Sequence, residues 1–304
     1  MILSEYLNDV TETNSWKVKN EQEVEVLMLS ASKCHLPSCI FIDNRKFIDS
    51  IPNTVVMVLT TPELESEIVN KDRGVIVSNQ PRLLFFALHN YLSQKKEYCR
   101  ERIETVIDPS AKVSPMACVS EYNVTIGKNT VIEPFVMIYP DSVIGDNCII
   151  RAGTAIGGCG FEFKRDHDGI MSVEHSGGVR IGDYVEIQNN TCIDRAIYPW
   201  DDTVIGDYCK IDNLVYIAHA VKIEKNVMIV ATSGVGGRTV IGENSWVGLG
   251  AKLRNGIQLG KNSRANMGAV VTKNVAEQQA VSGNFAIEHD LFLDNLKKLN
   301  NREV

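Results

Sequence analysis

The chain has 304 residues, 44% hydrophobic and 23% charged, an ordinary globular composition with length enough for two cores. Its formal charge of −7 argues against nucleic acid or an anionic membrane surface as the main partner. No apolar run approaches the ~18–20 residues of a membrane span, and Met1-Ile2-Leu3-Ser4-Glu5 lacks the basic flank of a secretory signal, so a cytoplasmic location is expected.

Residues 1–100 are expected to form a small α/β domain. Thr54–Thr60 (TVVMVLT) and Gly74–Ser78 (GVIVS) read as buried strands; Pro62–Asn70 and Pro81–Leu92 read as helices, the second with a proline in its first turn. Gln94–Glu104 is a charged connector. The 8 cysteines form no C-x-x-C pair, which suits reduced thiols. Cys118, Cys148, Cys192 and Cys209 have apolar neighbours and are expected to act as small core residues. Cys34 and Cys39, either side of a loop, are the pair to check for metal.

From residue 101 to 275 the chain repeats every six residues. Ile126, Ile132, Ile138, Ile144, Ile150 and Ile156 are in phase, as are Ile181, Ile187 and Ile193 after an interruption. An unbroken apolar run then follows through Ile205, Ile211, Ile217, Ile223, Ile229, Val235, Ile241, Val247, Leu253, Leu259, Ala265 and Val271. Ile107, Val113 and Val119 form an earlier, imperfect turn of the ladder. A period of six fits neither an amphipathic helix nor a hairpin meander. It fits a parallel β-solenoid whose aliphatic residues point inward and stack from coil to coil. Glycine often follows the aliphatic position (Gly127, Gly145, Gly157, Gly182, Gly206, Gly242, Gly260), relieving crowding at the corners. Asn and Asp at the turns (Asp146-Asn147, Asp183, Asp207, Asn244) tolerate unusual backbone angles.

Residues 157–180 are Gly-rich and out of phase, and residues 194–204 put Pro199 where an aliphatic residue belongs. Both read as loops thrown out of the solenoid, where function tends to sit. In the tail, 276–304, apolar residues at 287, 291, 292, 293, 296 and 299 predict an amphipathic helix over Ala286–Leu299 that caps the open end of the solenoid.

The six-residue ladder resembles the hexapeptide-repeat acyltransferases. That resemblance implies a mainly β fold, a left-handed parallel β-helix of triangular coils, and a homotrimer with active sites between neighbouring helices. Within that group, Gly157–Phe163 (GGCGFEF), Ile193-Asp194-Arg195 followed by Asp201-Asp202-Thr203, and Ile211–Val221 (IDNLVYIAHAV) occur in that order behind an α/β domain. Together they resemble the UDP-3-O-acylglucosamine N-acyltransferases of lipid A synthesis, which move a 3-hydroxyacyl chain from a thioester to a sugar amine. Only His219 of the 6 histidines lies in the phased coils, so a three-histidine zinc site is not expected, and residues 1–100 carry no Gly-rich phosphate loop.

The amine must lose a proton to attack the thioester carbon, and the resemblance assigns that base to His219. It also brings in Asp212, to orient the imidazole, and Asn213, to hold the sugar. In Phe41–Phe47 (FIDNRKF) it implies a nucleobase site of Phe41, Asn44 and Phe47, the last standing where the family has tyrosine. The family's second histidine, in a later coil, corresponds here to Gly256. Residues 268–286 resemble the closing segment of CoA-dependent sugar N-acetyltransferases, which implies donor contacts from Gly256, Arg254 and Lys273, with Lys252 and Arg264 nearby. No cofactor or metal is expected; acyl-CoA or acyl carrier protein enters as co-substrate. The closing segment and Gly256 favour acyl-CoA and a UDP- or dTDP-linked amino sugar of an O-antigen-type glycan. The alternatives are the lipid A reaction with acyl carrier protein, and a solenoid that binds nucleotide-sugar without turnover.

Overall fold

The computed structural model describes residues 1–10, 16–32, 34–69, 73–166, 169–283 and 286–300. The first hundred residues build a five-stranded sheet in the order Trp16–Lys19, Gly74–Ser78, Val55–Thr60, Ser38–Ile42, Val26–Leu27, antiparallel only at the first pairing. The strand at Gly74–Ser78 and the helix at Pro81–Leu92 fall where the sequence puts them. The other predicted helix is shorter, Glu65–Val69, and its expected last residue, Asn70, lies outside the described residues. A first helix, Ser4–Val10, and the short outer strands lack the apolar runs that would announce them.

Beyond Val106 the chain winds into three parallel sheets of nine, eight and eight strands, most only two residues long. Each coil contributes one strand to each sheet, so uninterrupted coils repeat after three hexads. The in-phase aliphatics from Ile126 to Val271 are all buried in one continuous column, the main hydrophobic term holding the coils together. Ile107 at the first turn is still 40% exposed. Solenoid pairing extends through Ala280–Val281, which adds to the sheet at Arg264–Ala265.

The corners work differently from the sequence reading. Most of the glycines named above are not in the left-handed region. Gly206 and Gly242 are required because a Cβ would come within 2.7 and 2.6 Å of the backbone N of Lys225 and Lys261 in the next coil. The left-handed residue sits two places after the glycine, and Asn147 and Asn244 fill it as expected (φ 56° and 61°). Beside Asp183 and Asp207, however, it is Tyr184 and Tyr208 that carry the positive φ. The aspartates instead form a ladder, Asp183 Oδ1 accepting from Asp146 N (2.7 Å) and Asp207 Oδ1 from Asp183 N (2.8 Å). Repeated hydrogen bonding from coil to coil stabilises an angle that L residues otherwise avoid.

Both interruptions are structured. Residues 157–180 include an antiparallel hairpin, Phe163–Asp166 with Gly169–Ser172; residues 167 and 168 at its tip lie outside the described residues. From the second interruption, Ile197 and Tyr198 are buried in the core of the N-terminal unit, and Trp200 Nε1 donates to Leu27 O at 2.9 Å. Arg100 fastens the same loop through Pro199 O (2.8 Å), Asp201 O (2.8 Å) and Asp202 Oδ1 (2.7 Å). The loops are therefore the mortar between the two halves.

Two expectations are corrected. The tail helix, His289–Asn300, does not cap the solenoid: Ile287, Leu291, Phe292, Leu293 and Leu296 all remain exposed. The side chain of Leu299 and residues 284–285 of the closing segment lie outside the described set. Cys118 and Cys192 are exposed rather than core, because they alternate outward beside the inward Val119 and Ile193; Cys148 and Cys209 are buried. Among the described residues no cluster of three or more His, Cys, Asp or Glu is placed to hold a metal, Cys34 and Cys39 included, and no helix is long and apolar enough to cross a membrane.

His89 joins the halves, its ring nitrogens 3.0 Å from Tyr98 OH and 2.9 Å from Glu174 O. Burial pushes its pKa down to about 4, so between that value and the ordinary 6.5 the unfolded chain binds the proton and the folded chain does not. The associated stability is complete above pH 6.5 and is lost as pH falls towards 4, with about 2 kcal/mol gone by pH 5. Urea midpoints at pH 7 and pH 5 should show this loss, and His89→Gln should reduce it by about that amount, leaving the part that comes from the other lowered histidines, His175 and His219.

Candidate active site

His219 sits at the corner between Tyr216–Ile217 and Lys222–Ile223. It is 5% exposed, and neither ring nitrogen has a hydrogen-bond partner among the described residues. The coil above fits tightly over it: a Cβ on Gly237 would lie 2.5 Å from His219 Nε2. On the other side the stem of the hairpin covers the ring. Gly160 packs so closely that its Cβ would meet Asp194 Oδ2 at 2.8 Å, His175 Nε2 at 3.1 Å and His219 Nδ1 at 3.2 Å. Glycine at 160 and 237 is thus a condition for placing the imidazole.

The hairpin brings charge to the ring. Glu162 Oε2 stands 3.5 Å from His219 Nε2, within ion-pair reach but not aligned as a hydrogen bond, and 3.6 Å from Arg238 Nη2. Its other oxygen pairs with Lys164. Burial pushes the Glu162 carboxyl up, but Lys164, Arg238 and His219 outweigh it and hold it below the usual range. Burial, with Arg238 second, takes His219 down to about 4 despite Glu162, so the imidazole is neutral at physiological pH and free to accept a proton. His175, 5.7 Å away between ring centroids, is lowered mainly by burial; its Nδ1 donates to Val173 O at 3.0 Å, which fixes the neutral tautomer, and its Nε2 has no partner among the described residues. Asp194 is raised by burial and accepts from Tyr216 OH at 2.7 Å.

Asp212 is not beside His219. It lies at the preceding corner, between Lys210–Ile211 and Tyr216–Ile217, where Oδ1 accepts from Asn213 N (2.7 Å) and Asn213 Nδ2 (2.8 Å), and Oδ2 from Ala231 N (3.1 Å). Within one chain, the carboxylate that faces the imidazole belongs to Glu162. Asn213 Oδ1 bonds Asn189 Nδ2 at 3.0 Å in the coil below.

Gly256, Arg254 and Lys273 do share the corner of His219. Backbone bonds run from Arg238 N to His219 O (2.9 Å) and from Gly256 N to Gly237 O (2.9 Å), so the corner rises His219, Gly237, Asn255, Lys273. Arg254, Gly256 and Lys273 are exposed along it. Arg264 belongs to another sheet, over the ring of Trp246 at 5.6 Å. Beside the corner runs a cleft of about 370 Å³, lined by Ala220, Arg238 and Gly256 from the solenoid, Trp200 from the second loop, and Ala31 and Ser32 from the N-terminal unit.

The three nucleobase candidates lie on one strand and the turn after it. Phe41 is half-buried against Phe85 (5.3 Å) and Phe86 (5.8 Å). Asn44 caps the turn Arg45–Ser50, accepting from Lys46 N at 3.1 Å, and Phe47 is 38% exposed under the Lys46 ammonium. No ring contact joins Phe41 to Phe47. Lys164 connects this region to the imidazole, its Nζ lying 4.3 Å over the Phe86 ring while it pairs with Glu162.

Sequence reasoning flagged the first loop without assigning Glu162 or His175 a role, and passed over Arg238. The repeat contained a signal for Arg238: three hexads past His219 falls Gly237, so its neighbour must share the corner. Gly237→Ala should displace the imidazole and reduce turnover by 10-fold or more, with little change in melting temperature; unchanged kcat would refute the tight placement.

Models of the bacterial transferase hexapeptide repeat match residues 123–158 and 202–237, and the hexapeptide repeat of succinyl-transferase matches 238–273. A UDP-3-O-acylglucosamine N-acyltransferase 2 of Legionella pneumophila is 49% identical over 102 residues, 34% of this chain and 29% of that protein. The alignments with the first curated relatives thus span well under half their length. UDP-3-O-acylglucosamine N-acyltransferase 1 of Francisella tularensis is 30% identical over 260 residues, 75% of this chain and 74% of its own. Among solved structures, a Francisella novicida UDP-N-acetylglucosamine acyltransferase superposes with a TM-score of 0.50 at 25% identity, covering 59% of this chain and 65% of its own. The Campylobacter jejuni enzyme of that name (TM-score 0.51, 20% identity, 64% and 81% covered) shares the fold. With its ladder of hexads, its corner histidine and the Francisella relative aligned over most of both chains, this protein belongs to the hexapeptide-repeat acyltransferases of the UDP-3-O-acylglucosamine N-acyltransferase family.

Proposed function

We propose that this chain transfers an acyl group from a thioester to the amine of UDP-3-O-acylglucosamine, with His219 as general base. The observation that carries the reading is a buried, neutral imidazole at a solenoid corner beside an open cleft. The acceptor is the one named in the Francisella and Legionella relatives, and it takes precedence over the O-antigen-type sugar that the closing segment suggested. The amine nitrogen attacks the thioester carbon and gives its proton to His219. The tetrahedral intermediate then collapses as the C–S bond breaks, and the departing thiolate takes the proton back. No acyl-enzyme is involved, and no metal or cofactor is required.

Phe41, Asn44 and Phe47 are proposed to receive the uridine, and Arg254, Gly256 and Lys273 the donor along the exposed corner. The donor is acyl carrier protein or acyl-CoA. Asp212 and Asn213, one corner away from His219, fit a homotrimer in which this corner meets the histidine corner of a neighbouring copy. Leu214, 58% exposed beside them, supports that contact.

Thiol release with 3-hydroxyacyl carrier protein, 3-hydroxyacyl-CoA and acetyl-CoA, each against UDP-3-O-acylglucosamine and a panel of UDP- and dTDP-amino sugars, tests the reaction. His219→Ala should lower kcat by about 10²–10⁴-fold without unfolding the protein. Failure of every pair, with nucleotide-sugar still bound, would leave the non-catalytic solenoid. Shared sites have their own test. Co-expressed His219→Ala and Asp212→Ala chains, each inactive alone, should recover roughly a quarter of the wild-type rate through mixed trimers. No recovery would place the whole site within one chain.

A further inference from the structure

General-base catalysis by His219 leaves one charge unaccounted for. When the amine adds to the thioester, the carbonyl oxygen becomes an oxyanion, and the site must supply donors to hold it. One cation is built into the corner that carries the base. Arg238 lies one coil above His219, and its backbone N donates to His219 O at 2.9 Å. Its side chain is 27% exposed and lines the open cleft with Ala220, Gly256 and Trp200. Guanidinium and imidazole converge on the same oxygen: Glu162 Oε2 is 3.6 Å from Arg238 Nη2 and 3.5 Å from His219 Nε2.

The charge balance leaves the guanidinium available. Glu162 is shared between Arg238 and Lys164, so one carboxylate faces two cations. Of the other ionisable groups nearby, His175 is held neutral by burial, Asp194 is tied to Tyr216 beyond Gly160, and Lys222 pairs with Asp201. Positive charge is therefore left over on the cleft wall next to the base.

We infer that Arg238 is a catalytic residue whose guanidinium N–H groups receive the oxyanion of the tetrahedral intermediate. The inference rests on the N-acyl-transfer reading and deepens it. As the nitrogen–carbon bond forms, the carbonyl π electrons move onto oxygen, where Arg238 holds them. They return as the carbon–sulfur bond breaks, and the proton held by His219 leaves with the thiolate. A guanidinium suits this task better than an ammonium because its planar fork presents two donors in fixed directions.

A purely structural Arg238 would only clamp the hairpin through Glu162, and the test separates the two roles. Full-length wild type, Arg238→Met, Arg238→Lys and Glu162→Gln are assayed with an acyl thioester donor and with its dithioester analogue, in which C=S replaces C=O. Arg238→Met should lose about 10²–10³-fold in kcat, with the acceptor KM within a few fold of wild type, and Arg238→Lys should recover part of the loss. The wild-type preference for oxygen over sulfur should shrink in Arg238→Met, because the donor that distinguishes them is gone. Glu162→Gln, which loosens the clamp but keeps the guanidinium, should retain that preference. Unchanged kcat in Arg238→Met overturns the inference, as does a lost kcat with the full oxygen preference retained. A wild type that acylates no amino sugar overturns the reading beneath it instead.

Discussion

Inside the solenoid, one aliphatic side chain per hexad must meet its equivalent in the coil above and the coil below. The column from Ile126 to Val271 is buried along its whole length, and a shift of one residue would turn every inward chain outward. Register is therefore tightly held, and so is everything at the corners. Residues a full coil apart are stacked with little lateral freedom, which is how His219, Gly237, Asn255 and Lys273 come to share one column. A site built this way needs no long-range recognition to align its parts, because alignment follows from counting.

That same stacking limits what the column can hold. A side chain on Gly237 would occupy the space of the imidazole, and one on Gly160 would separate the two histidines from Asp194. Beside the imidazole the solenoid itself offers cations, Arg238 foremost, and bare backbone. The carboxylate comes from elsewhere, and the hairpin brings it: Glu162 and Lys164 reach the corner from outside the repeat, and His175 returns just ahead of the strand that resumes it. The interruption is the route by which polar chemistry enters a scaffold whose repeat tolerates little of it.

What was legible in the sequence follows from the same physics. A packed axis admits few residue types, so Ile and Val at every sixth place could be read directly, and His219 could be located by its offset within a hexad. The corners were harder to read. Their left-handed residue is held by hydrogen bonds between coils, which let Tyr184, Leu214 and Ala220 adopt a positive φ of the kind the sequence reading gave to Asn and Asp. Glu162 was present in a motif already singled out, but its partners, Lys164 apart, lie far along the chain, and no local pattern reveals that His219 and Arg238 share its carboxylate. The tail failed for a related reason: amphipathicity shows that a helix has an apolar face without saying what covers it, and in this chain the solenoid does not.

The two halves are coupled through the loops that form the site. Tyr198 and Ile197 are buried in the core of the N-terminal unit, and Trp200, which bonds to Leu27, also lines the cleft beside the His219 corner. Lys164 lies over Phe86, whose ring packs against Phe41, while its ammonium holds Glu162. A ligand that moved Phe41 would thus act on a chain of packed groups ending 3.5 Å from the imidazole. Two discrete arrangements of that chain would be needed for signalling, and a rigid solenoid offers few. The packing serves placement instead: solenoid residues line one side of the cleft and the N-terminal unit the other, so a group held by one half lies at a set distance from His219 in the other.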